Sequence, residues 1–494
     1  MSTTPLIDCR DQGRVAVAIQ RGLDGYAPRE QTPYHPAEDY PESPFLVTTP
    51  GGNPAYALVR QALADLGLDS EHYGTRSWNP IGSLVKPGGT ILVKPNWVLH
   101  ANDRKGGTDC LFTQAPVLRA VLDYVYLARP GQVIIGDAPV QGCDLDVLLD
   151  KGSREVVDFM LSRGLSARVV DFRRTRARHS GKFRWTMEEG LRLLGDYTTV
   201  DLGNQSLLEP ISQDAEKFRV TMYDPRRMRD HHMPGRHQYL IAREVLESDL
   251  VINLPKLKTH KKAGLTCALK NLVGINGNKD YLPHHRKGSA LWGGDNYARS
   301  SIFKTLAEEV LDLANKHISW GRFYQACTAL TYALLVMDIK TGGIGDVEGS
   351  WYGNDTVWRM VLDLNRVLLY ADAQGRMTDT PQRVELSITD GIVAGQGDGP
   401  LRPDPCPLGA VVAALNPAAA DWVAALLLGL DPERVPVVAR TFDAMPLPIT
   451  RFSSADIACS VNGDAVPLCD VPRRFGVRAI PPRGWAGHCE WKQA

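Results

Sequence analysis

The sequence predicts an α/β fold: mainly parallel sheets with flanking helices, two lobes around a cleft, and an inserted polar and basic segment. Three observations carry this. Short Val-, Ile- and Leu-rich runs alternate with helical patterns, the rhythm of strand–helix–strand crossovers. Residues 173–247 break that rhythm with basic, polar and turn-forming residues. The chain has 494 residues, 44% of them apolar, enough to bury a large core without disulfides or structural metal.

The elements follow in order. Residues 27–53, rich in Pro, Gly and acidic groups, read as an extended arm. Residues 56–66 read as a helix, 89–93 as a buried strand, 115–127 as a helix and 132–135 as a strand. A helix over 155–163 and a strand over 167–170 precede the insertion. Strands return at 250–254, 384–388 and 410–415, and helices at 302–314 and 358–370. Asn416 and Pro417 open an apolar helix as its cap and first residue. With Asp421 they interrupt 409–430, so that stretch is not a membrane span. The expected organisation is an arm and first helix over 1–84, an α/β core over 85–432, and a C-terminal segment over 433–494 that wraps the core.

Charge and cysteine content exclude several functions. Lys+Arg and Asp+Glu both number 56, which argues against DNA or an anionic membrane as a whole-chain partner. The basic segments lack interleaved aromatics and match no nucleic-acid module. Nine scattered cysteines contain no C-x-x-C, so no iron–sulfur or zinc-knuckle motif is written here. Scattered cysteines point to reduced thiols in a cytoplasmic protein. The first residues lack the basic and apolar regions of a signal peptide.

In open α/β sheets, ligands sit beyond the carboxyl ends of the strands. Four loops therefore matter. Lys94-Pro95-Asn96-Trp97 can aim a cation and an amide into a cleft, on a turn that Pro95 preorganises. In Gly136-Asp137-Ala138-Pro139, Asp137 is a base, a metal ligand or a helix cap. The segment 251–288 carries seven Lys and Arg286 against Asp280 alone, a local charge of +7. There Lys256, Lys258 and His260 alternate along an extended chain. Thr266 and Lys270 share a face of a helix expected to start near Ala263, with Gly264 letting an anion approach. In the loop after Ile388, Asp390 supplies a carboxylate and the glycines, Gly397 and Gly399 among them, form a nest of backbone N–H groups. His231, His232 and His237 read as part of a mobile polar lid. Arg173, Arg174, Arg176, Arg178, Lys182 and Arg184 read as a solvated basic face.

The motifs V-K-P-N-W, G-D-A-P, N-L-P-K-L-K-T-H with T-x-x-x-K-N-L-x-G, D-G-I-x-x-G-x-G-x-G-P and N-P-x-A-x-D occur in this order. Together they resemble the bacterial and archaeal family called domain of unknown function 362, over about residues 85–432. The resemblance implies one family core interrupted at 173–247, and no reaction. Many members carry a ferredoxin-type domain, for which this chain has no cysteine motif. The family pattern has an acidic residue where Gln396 stands and Asp where Asn416 stands; Asp137, Asp390 and Asp421 remain. A fainter similarity to lactate racemase-type proteins lies in His260 followed by Ala263-Gly264 near lysines. It implies proton transfer on a small hydroxy- or keto-acid, without the nickel cofactor of that family.

The leading expectation is an isomerase- or lyase-type enzyme for a small anionic metabolite. Lys94, Asn96, Lys256, Thr266, Lys270, Asn271, Gly397 and Gly399 bind it, and His260, Lys258, Asp137 and Asp390 move protons. The alternatives are a divalent-metal enzyme, hydrolytic or redox, with His260 or His284 and Asp137 or Asp390 as ligands, and a non-catalytic anion- or partner-binding module. The cofactor is unspecified, and a homo-oligomer stays open.

Overall fold

The computed structural model describes residues 7–104, 106–179, 185–190, 192–221, 223–318, 320–343 and 345–492. An 11-stranded sheet organises it. The strands are β1 (Arg14–Ile19), β2 (Thr90–Pro95), β3 (Gln132–Asp137), β4 (Ala167–Asp171), β5 (Leu250–Leu254) and β6 (Lys256–His260). They continue with β7 (Gly264–Thr266), β8 (Val384–Gln396), β9 (Asp404–Ala414), β10 (Ala458–Val461) and β11 (Asp464–Val466). The order is β11-β10-β1-β9-β8-β5-β2-β3-β4, with β6 also paired to β8 and β7 to β6. β4, β3, β2, β5 and β8 are mutually parallel. β9 runs antiparallel to both β8 and β1. One sheet thus serves what the sequence suggested were two lobes.

Both faces of the sheet are covered, as a mostly parallel sheet requires. Alternate residues feed two cores. Leu92, Ile134 and Val251 join one, whereas Ile91, Val93, Val133, Ile135, Leu250, Ile252 and Leu254 join the other. Helices Pro54–Asp65, Ala115–Leu127 and Ser153–Ser162 pack on the second face. Helices Val357–Tyr370 and Pro417–Leu427 pack on the first. Asn416 caps the latter, its Oδ1 accepting from the Ala418 and Ala419 N–H groups.

Three departures from the sequence reading change the picture. β1 lies inside the sheet, between β10 and β9, although it belongs to the expected N-terminal arm. Residues 433–494 do more than wrap, since β10 and β11 extend the sheet past β1. The strand expected to end at Ile388 runs on to Gln396, paired with β9 and β6. Its glycines permit close backbones: a Cβ on Gly395 would lie 2.7 Å from the Lys258 Cβ.

Residues 173–247 contribute strands outside the central sheet. Tyr197–Asp201, Arg236–Ala242 and His232–Met233 make a small sheet, and Phe218–Arg219 pairs with His285–Arg286. His232 and His237 are fully buried, with their Nδ1 atoms 3.3 Å apart, and His237 Nε2 meets Glu209 at 2.9 Å. That is an internal cluster, not a mobile lid. Arg173 is likewise buried, donating to Asp171 and to the carbonyls of Val140 and Cys143. Lys182 and Arg184 lie outside the described residues.

Candidate functional site

The carboxyl ends of β2, β3 and β5 meet at a buried polar platform. Lys94, the penultimate residue of β2, donates from Nζ to Asp137 Oδ1 at 2.8 Å, to the Pro95 carbonyl and to Asn271 Oδ1. The other oxygen of Asp137 accepts the Trp97 N–H at 2.7 Å. Asn271 is the hub. Its Oδ1 also accepts from Asn96, and its Nδ2 donates to Asn253 Oδ1 and to the Lys94 carbonyl. Asn271 ends the short helix Ala268–Asn271, whose first N–H groups are held by Asp421. Gly274 closes the platform: a Cβ there would fall 1.9 Å from Asp137 Oδ1. Only glycine allows that approach.

Above this platform lies a cavity of about 500 Å³. Asn96, Asp137, His260, Lys262, Thr266, Lys270, Asn271, Lys279 and His284 line its polar side. Val98, Leu99, Ala138, Val140, Val220, Val273 and Leu401 make much of its wall apolar. Val220, Thr221 and Tyr223 come from the inserted segment, which therefore helps to roof the site.

Two lysines of the cavity lack compensation. Among the described residues, the side-chain ammonium groups of Lys270 and Lys279 have neither a hydrogen-bond nor an ion-pair partner. Burial, then the neighbouring ammonium groups of Lys279, Lys262 and Lys94, lowers Lys270 to about 7. Burial lowers Lys279 to about 8, against the pull of Asp137. Lys262 is more supported, 3.3 Å from Thr221 Oγ1 and 3.8 Å from Glu348. Thr266 Oγ1 is buried without a partner. An unpaired buried polar group is costly, so such a cluster calls for an acceptor that completes it.

The two histidines face this cluster with opposite chemistry. Nδ1 of His260 accepts the N–H groups of Lys262 and Ala263, at 3.0 and 3.1 Å. In the neutral ring its proton is therefore on Nε2. Nδ1 of His284 lies 2.7 Å from the Leu282 carbonyl and must donate to it, which leaves the His284 Nε2 lone pair open. Burial and the surrounding lysines hold both rings well below the usual histidine range, hence neutral. His260 is thus a donor and His284 an acceptor. The sequence reading had His260 move a proton without fixing a direction; the two backbone donors on its Nδ1 leave it the donor.

Of the other expected site residues, Lys256 and Asp390 form a fully buried pair at 3.1 Å, and Tyr26 donates to Asp390. Lys258 donates to Asn96 Oδ1 at 2.9 Å and to the Leu111 carbonyl. Burial, and secondarily Lys256, lowers it to about 7. Lys94, Lys256, Lys258 and Asp390 support the site from behind rather than lining the cavity. Gly397 and Gly399 do not form an anion nest. Their N–H groups donate to the Ile480 and Gly397 carbonyls, and a Cβ on Gly399 would meet the Thr259 carbonyl oxygen at 2.0 Å. The helix expected from Ala263 starts at Ala268, because 264–266 pairs with β6. Gly264, at φ +81°, admits Trp485 rather than a ligand. Asp137 and Asp390 are each committed to a lysine, and among the described residues no three His, Cys, Asp or Glu side chains gather to hold a metal.

Lys262 and Lys279 complete the cavity although only the general basic character of 251–288 pointed to them, and His284, expected only as an alternative metal ligand, joins them. That whole stretch, from the β5 end through His284, falls within one family match: residues 198–426 fit the model described as domain of unknown function (DUF362). The match starts inside the segment read as an insertion and leaves out the Lys94 and Asp137 loops, which lie N-terminal to it. A thylakoid-associated protein of Synechocystis is 24% identical over 359 residues, covering 73% of this chain and 69% of its own length. A Thermotoga maritima protein of known crystal structure aligns at 10% identity and a TM-score of 0.32. That alignment covers 74% of this chain and 58% of the other, less than two thirds of its length. Among the described residues, no helix is long and apolar enough to cross a membrane.

Proposed function

We propose that this DUF362 protein is an enzyme that binds a small organic anion and moves a proton on it, in isomerase- or lyase-type chemistry. One observation carries the reading: uncompensated Lys270 and Lys279 share a cavity with a histidine that offers N–H and another that offers a lone pair. The lysines would hold a carboxylate or phosphate. His284 Nε2 would take a proton from carbon beside a carbonyl. His260 Nε2–H would polarise that oxygen, as a neutral imidazole can. Burial of the cysteines, all free and only Cys469 exposed, supports a cytoplasmic site of action.

The test is carbon–hydrogen exchange in D2O. Wild-type protein is incubated with 2-hydroxy and 2-oxo acids and followed by proton NMR. Loss of an α- or β-proton signal, abolished in His284→Ala with binding retained, is the expected result. Tight binding without exchange in any acid would leave a non-catalytic anion-binding module instead.

A further inference from the structure

Lys270 differs from every other lysine around the cavity. Lys94 and Lys256 are each paired to a carboxylate. Lys258 is tied to two oxygen acceptors and is fully buried. Lys262 has Thr221 and Glu348 near it. Lys279 feels Asp137. Only cations act on Lys270, and its amine opens onto a largely apolar cavity. A lysine desolvated beside other cations is the arrangement that activates an amine as a nucleophile. Lys270 is also the strongest cation acting on His260 and, after Lys262, on His284.

We infer that Lys270 is a covalent catalyst that forms an imine with the carbonyl of a small 2-oxo acid, whose carboxylate is held by Lys262 and Lys279. This deepens the function proposed above and rests on it. The Lys270 Nζ lone pair attacks the carbonyl carbon. The C=O π pair moves to oxygen, which His260 Nε2–H hydrogen-bonds. The new C–N bond gives a carbinolamine after one proton moves from nitrogen to oxygen. A second proton on that oxygen, from solvent, lets the C–O bond break and water leave, with the nitrogen lone pair completing C=N. The iminium then draws electrons from the adjacent C–H, and His284 Nε2 receives that proton. No oxidant or reductant is required.

The experiment uses full-length protein with pyruvate, 2-oxobutyrate or phenylpyruvate, each with sodium cyanoborohydride, followed by peptide mass mapping. One reduced adduct per chain on Lys270 is expected. It should be absent in Lys270→Arg and absent with acetone, which has a carbonyl but no carboxylate. Lys279→Met should slow trapping about tenfold, the loss of one carboxylate contact. Binding of the oxo acids, read by thermal shift, with no adduct on Lys270 overturns the imine and leaves the anion site intact. Adducts spread over surface lysines at equal rates overturn it as well. If neither these acids nor inorganic phosphate shifts the melting temperature, the anion site itself fails. Lys270→Arg keeps the positive charge, so its melting curve separates a folding defect from a lost nucleophile.

Discussion

Lys94 Nζ and Asp137 Oδ1 lie 2.8 Å apart, and both side chains are almost entirely shielded from solvent. Every donor of the ammonium and both carboxylate oxygens have partners inside the platform. Breaking such a pair from one side leaves a buried charge uncompensated, at a cost of about 3–5 kcal/mol. Asp137→Ala should therefore destabilise by that order in urea unfolding. Replacing both partners together should cost less than the sum of the single changes, and additive losses would mean that the two groups do not act as a pair.

Gly274 tests the same platform sterically. An alanine Cβ would fall 1.9 Å from Asp137 Oδ1 and 2.8 Å from Lys94 Nζ. Neither atom can withdraw without losing hydrogen bonds. Gly274→Ala should cost about 1–3 kcal/mol or more, the usual range for overpacking. It should also weaken anion binding, since helix Ala268–Asn271 would shift with it. Wild-type stability in that variant would show that the platform yields easily.

Three of the four loops were legible because β2, β3 and β5 are apolar runs that end abruptly in polar residues. Strand boundaries such as Leu250–Leu254 fall where the sequence suggests. The division of labour among the lysines was not legible. Lys256 and Lys270 look alike in sequence, and only the three-dimensional pairing with Asp390 marks one as structural. The glycines at 391–399 misled for a related reason: a glycine demanded by a neighbouring backbone reads the same as one that frees N–H groups for a ligand. The tautomers of His260 and His284 depend on backbone groups whose positions no spacing rule specifies.

Stability should carry a pH signature of the site. Lys258 and Lys270 near 7 and Lys279 near 8 lie below the 10.5 of an exposed lysine. Between those values the unfolded chain holds protons that the folded chain has released, so these groups make stability rise as pH increases from about 7 toward 10. Burial raises Glu385 and Asp421 to about 7. They act oppositely below that pH: the folded chain holds the extra protons, and stability falls as pH rises from about 4 to 7. Together the five groups contribute least near neutrality. Lys270→Met should remove one proton's share of the alkaline slope, about 1.4 kcal/mol per pH unit, in urea titrations between pH 7.5 and 9.5. An unchanged slope would mean that Lys270 titrates normally.

Anion binding should show the reverse dependence. A bound carboxylate or phosphate interacts best with ammonium groups, and deprotonating Lys270 and then Lys279 removes two of them. The melting-temperature increase caused by an anion should thus be largest at pH 6 to 7 and fade by pH 10, although the free protein gains stability over that range. Lys270→Met should flatten the dependence near pH 7, and Lys279→Met should flatten it near pH 8, the order set by their surroundings. Isothermal titration with phosphate across this range checks it. Binding that stays constant from pH 6 to 10 would place the anion away from both lysines, and would leave the cavity's uncompensated charge without a ligand to account for it.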